Sequence, residues 1–232
     1  MAAFASHKDA ASGKVKIIAH KIFLANVIKS FAGGTGPIIA ARVDYSLETL
    51  LDVGAEGRVN GGLGPDFVIE NPSLIMPNVL VDDVIDITIA GVKMQIKWVP
   101  SEAPDEIVVW LPELEVLHTA EVIQGESFPN LHTIRGTRYR DPELWFKGID
   151  TLREYSAKYM VSSHGRPVSG REAVADTLTS YRDAIQYVYD QTLRNMNTYM
   201  LPDDARTNAS QRSFSALCRH DGRTQKGTQS RP

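Results

Sequence analysis

Strict alternation stands out first in VKMQIKW at 92–98, where Val92, Met94, Ile96 and Trp98 fall on one side and Lys93, Gln95 and Lys97 on the other. A period of two predicts a half-buried strand. DVIDITI precedes it across Ala90-Gly91, a pair suited to a tight turn. EIVVWLPELEVLHTA reads as two further short strands around Pro112-Glu113, so an antiparallel meander is expected over 80–120. KVKIIA at 14–19 alternates and then turns apolar, as a strand does, whereas HKIFLANVIKSF fits either a short helix or a strand followed by a loop. Beyond Arg140 the period lengthens. Asp141-Pro142-Glu143 has the chemistry of a helix start, and Leu144, Trp145, Ile149 and Leu152 supply its apolar stripe. AKYMVSSHG reads as a buried strand ending at His164. Ser169 with Glu172 predicts a capping box opening a long helix, with Val174, Leu178, Tyr181, Ile185 and Val188 on one buried face. The helices from 142 and 170 are expected to cover the Val92, Met94, Ile96, Trp98 face. From Gly33 to Pro77 glycine and proline predict an extended, irregular region. Residues 202–232 have little apolar periodicity and predict a disordered basic tail. The domain reading is therefore 1–201 and a tail.

Composition narrows the chemistry. A net charge of -3 argues against a general nucleic-acid binder. No apolar run is long enough to span a membrane, and the first residues lack the pattern of a secretory signal, so a cytoplasmic location is expected. Cys218 is the sole cysteine, which excludes an intrachain disulfide and any multi-thiolate zinc site. A metal held here must use His, Asp, Glu and water.

Three such residues stand at strand or helix ends: Glu121 after EVLHTA, Asp141 before a helix and His164 after YMVSS. Side chains leaving a rigid scaffold at loop junctions are well placed to build a site. Each also has a plainer role: solvated strand end, N-cap and exposed histidine. Their spacings match no local metal motif. Arg135, Arg138 and Arg140 suit either an anion clamp, since guanidinium forks match sulfate or phosphate, or a solvated basic loop.

The pieces GVKMQIKWVPSEAPDEIVVWLPE, HTAE, NLHTIRGTRYRDP, SSHGRPVSG and YRDAIQYVYDQTLR, with SGKVKIIAH and GGLGPDFVIENPSLI upstream, resemble the alkylsulfatase branch of the metallo-β-lactamase superfamily over roughly residues 13–201. The resemblance implies an α/β (α+β) fold, the αββα sandwich, here with an incomplete N-terminal half and a long C-terminal helix. It implies two zinc ions per site and hydrolysis of alkyl sulfate esters. By motif, Glu121, Asp141 and His164 match metal ligands, and Asn130 and Arg135 match positions near the sulfate. His132 stands where many members have tyrosine. The family's HxHxDH cluster has no counterpart, because no HxH occurs among the six histidines. A fragment is therefore expected, holding at most one zinc weakly and inactive alone. A family-type homodimer is compatible with the resemblance, but its dimerisation region has no counterpart here. The alternatives are a non-catalytic truncated homologue and another hydrolase of the superfamily.

Overall fold

The computed structural model of the chain describes residues 5–31, 36–46, 49–60, 74–125, 127–131 and 139–205. In chain order the elements are α1 (His7–Ala11), β1 (Ile18–His20), α2 (Phe23–Phe31), α3 (Gly36–Ser46), β2 (Val79–Val81), β3 (Val84–Ile89), β4 (Val92–Trp98), β5 (Ile107–Leu111), β6 (Val116–Ala120), α4 (Pro142–Leu152), β7 (Tyr159–Ser162), β8 (Val168–Ser169) and α5 (Arg171–Asn197).

The meander forms as its pattern predicts. Strands β3 to β6 are antiparallel neighbours. Ala90 and Gly91 both have positive φ, 50° and 83°, the backbone of a two-residue hairpin whose twist matches its strands. β7 then joins β6 in parallel and β8 closes the six-stranded sheet antiparallel to β7. Between β6 and β7 the chain crosses over through α4, as a parallel pair requires.

Helices α4 and α5 cover one face of this sheet. Across the strands, Gln95, Trp110, Leu117 and Met160 are register partners, and Leu117 and Met160 share a core with Trp145, Ile149 and Leu152 of α4 and Val174, Leu178, Tyr181 and Ile185 of α5. Burying each such large side chain contributes about 1.5–3 kcal/mol. The expectation that these helices cover Val92, Met94, Ile96 and Trp98 is therefore corrected. Ile96 is in register with Val109, His118 and Val161 on the opposite face. That face meets the small parallel sheet β1-β2: the His20 ring stacks on Trp98 at 4.8 Å, and Ile96 and Val81 are both buried. Alternation separates two faces and cannot say which one the helices take, because both carry apolar residues.

One open alternative is settled locally, and two local expectations differ. HKIFLANVIKSF resolves as helix α2, and part of the expected irregular region is helix α3, which starts at Gly36-Pro37 where proline's fixed φ suits a first turn. Helix α5 is capped by Gly170 without a side-chain bond, and no Ser169 box forms. Ser169 is held in β8 opposite Tyr159, and the Gly170 N–H donates to the Lys158 carbonyl at 2.8 Å. The tail from 206 lies outside the described residues. Among the described residues no helix is long and apolar enough to cross a membrane.

Candidate functional site

Because β6 and β7 run parallel side by side, their C-terminal ends open at the same edge of the sheet. Glu121 follows the first and His164 follows the second by two residues. The ladder slips between His118 and Ala120, and Ala120 has φ 49°, so the chain turns sharply as it leaves β6. The turn is fastened by the Ser163 N–H donating to the Ala120 carbonyl at 2.9 Å and by a 3.0 Å hydrogen bond between the Thr119 and Ser162 hydroxyls. The result is a 2.9 Å contact between Glu121 Oε1 and His164 Nε2, both partly open to solvent.

Gly125 lets the two loops come this close. Its φ is 70°, and a Cβ there would stand 2.9 Å from the Gly165 Cα and 3.1 Å from the His164 carbonyl oxygen. A side chain would hold the loops apart.

Beneath the pair lies a residue that sequence reasoning missed. The Glu106 carboxylate accepts hydrogen bonds from the Glu121 N–H and the Ser101 hydroxyl and is nearly buried. Burial pushes it up to about 7, against the opposing pull of those hydrogen bonds. Its position in PDEIVVW looks like any loop acid before a strand, so no local signal marks it.

Asp141 caps α4: its Oδ1 accepts from the Glu143 and Leu144 N–H groups at 2.9 and 3.1 Å. Asn130 lies in the loop between β6 and α4, where its N–H donates to Gln124 Oε1 at 3.1 Å and its carbonyl accepts from Arg140. Arg140 also pairs with Glu102 at 2.8 Å, and both side chains are almost wholly enclosed. That enclosure removes Arg140 from the three-arginine clamp. His132, Arg135 and Arg138 lie outside the described residues.

Carboxylate oxygen and imidazole nitrogen are suitable donors for zinc, and the Glu121–His164 pair fits as two ligands of such an ion. A four-coordinate site needs two more. Among the described residues no group of three His, Cys, Asp or Glu side chains is placed to hold a metal.

No family model matches the chain. The chain is 46% identical over 202 residues to a linear primary-alkylsulfatase from a Pseudomonas species, covering 87% of this chain and 38% of that protein. It is 31% identical over 195 residues to an alkyl/aryl-sulfatase of Saccharomyces cerevisiae, covering 82% of this chain and 30% of the other. Its fold matches the solved structure of the stereoselective inverting sec-alkylsulfatase Pisa1 from Pseudomonas sp. with a TM-score of 0.73 and 28% identity, covering 84% of this chain and 31% of that one. The chain thus spans well under half the length of the relatives it matches.

Proposed function

We propose that this chain belongs to the alkylsulfatase branch of the metallo-β-lactamase superfamily and that its residues serve the hydrolysis of an alkyl sulfate ester to an alcohol and sulfate. The observation that carries the reading is the Glu121–His164 contact at the ends of two parallel strands. In this reading Glu121 and His164 would hold a zinc ion, and Asp141, whose carboxylate caps α4, matches a further ligand by motif alone, since the described residues bring no third metal donor to the pair. Asn130 donates its side-chain amide to a sulfate oxygen, and Arg135 offers positive charge where the leaving sulfate gathers negative charge. Zinc, when bound, supplies a water of lowered pKa and positive charge beside the ester oxygens. Glu106 fastens the Glu121 backbone from below, so that the ligand carboxylate leaves the strand at a set angle.

A second reading, a non-catalytic homologue, is favoured by two observations: only two metal donors meet among the described residues, and no HxH run occurs in the 232 residues. Sulfate release from dodecyl sulfate with added zinc separates the two. The expected result is no turnover by this chain alone, and turnover once a segment bearing HxHxDH is fused upstream. Glu121→Ala or His164→Ala in that fusion should abolish it. A fusion that binds zinc yet releases no sulfate would leave the non-catalytic reading standing.

A further inference from the structure

We propose that Gln124 and Arg140 are positioning residues that hold Asn130 by both ends of its own peptide groups, and so set where its side-chain amide meets a sulfate oxygen. The inference rests on the reading of Asn130 as a sulfate-facing residue.

The described residues around Asn130, 127–131, form no helix or strand that would fix it. It is fixed instead by side chains reaching in from elsewhere. Gln124 accepts the Asn130 N–H on its Oε1 at 3.1 Å, while its Nε2 donates to Glu102 Oε1. Arg140 donates from Nη1 to the Asn130 carbonyl and pairs with the same Glu102 oxygen at 2.8 Å. One carboxylate therefore orients both holders. Glu102 and Arg140 are 14% and 10% exposed, so the charges act locally and largely out of water. The bracket is anchored to the core, because the Gln124 N–H donates to the Tyr181 hydroxyl of α5 at 3.0 Å. Ser127 donates to the Gln124 carbonyl at 2.9 Å and tightens the turn between them.

Such a bracket uses its polar groups to control position. An arginine free to bind substrate would not be committed to a buried carboxylate and a main-chain carbonyl. An amide that must meet a tetrahedral anion gains from being held within a fraction of an ångström, since small misplacements of a binding group are costly.

Two variants test this on the full chain, with inorganic sulfate as the probe. Gln124→Met keeps the volume and removes both side-chain bonds. The double variant Glu102→Met with Arg140→Met replaces the ion pair by apolar side chains and strands no buried charge. The readouts are hydrogen exchange of the Asn130 backbone amide and the shift of its side-chain NH2 resonance on titration with sodium sulfate, against sodium chloride of equal ionic strength. In the unaltered chain Asn130 should be protected and its side chain should respond to sulfate with saturation. Each variant should speed exchange at Asn130 and weaken sulfate binding by about tenfold or more, with protection in α5 unchanged. If sulfate affinity survives undiminished in both variants, the positioning role is refuted while the sulfate reading stands. If Asn130 of the unaltered chain does not respond to sulfate, the sulfate reading itself fails and this role falls with it.

Discussion

His164 Nε2 lies 2.9 Å from Glu121 Oε1 although 43 positions separate the two residues. Parallel pairing of β6 with β7 brings their ends together, and a turn at Ala120 aims the glutamate at the histidine. Neither residue belongs to the apolar core, so the contact can be altered without dismantling the fold. Substitutions at this edge therefore report on chemistry first and stability second.

Metal content is the first outcome to check. Two donors make a weak site, and a closed zinc site needs four. The purified chain is expected to retain at most one zinc, and to lose it on dialysis against a chelator. Glu121→Ala and His164→Ala should each remove it. Elemental analysis showing two firmly held zinc ions per chain would mean that further ligands exist outside the described residues.

Gly125→Ala should damage the site and the fold together. The left-handed backbone costs a residue with a Cβ about 1–2 kcal/mol, and the contact with Gly165 adds to that. Gly13→Ala is the control, because Gly13 has a similar φ of 74° and open space around it. Both should lower the urea midpoint, Gly125→Ala by more. Only Gly125→Ala should weaken zinc binding, read by titration.

Asp141 separates a capping role from a ligand role. Asparagine caps a helix nearly as well as aspartate, and alanine costs about 1 kcal/mol. Asp141→Asn should keep the unfolding midpoint, and Asp141→Ala should lower it. If the carboxylate is also a ligand, as proposed, zinc affinity falls in both variants. Unchanged zinc affinity in Asp141→Asn would leave Asp141 with the cap alone.

Glu106 predicts an unusual pH dependence. Burial raises its pKa from 4.5 to about 7 in the folded chain. Between those values the folded state keeps a proton that the unfolded state releases. Stability from this group therefore falls as pH rises through the window, by about 3 kcal/mol in all, and is flat above it. Urea unfolding at pH 4.5 to 8 with chelator present should show this fall in the unaltered chain, and Glu106→Gln should remove it. A common pH profile for both proteins would contradict the burial of this carboxylate.

By itself the sequence determined the strands of the meander, the helix that Asp141 opens and the apolar stripes of α4 and α5, because each is written in residues a few positions apart. Motif resemblance also marks Glu121 and His164 as candidate ligands, but only tertiary structure decided that they meet. Their contact depends on a parallel crossover that no short window encodes. The same limit hid Glu106, whose loop acid is unremarkable until Val99, Ser101 and the end of β6 enclose it. It hid the commitment of Arg140 to Glu102, which lies 38 positions away and looks like a free charge in sequence. It also left open the face of the sheet that α4 and α5 cover, since Trp98 and Trp110 advertise apolar surface on opposite sides. Period and propensity act over one or two turns of chain, whereas burial, pairing and charge neutralisation depend on segments that only folding brings together.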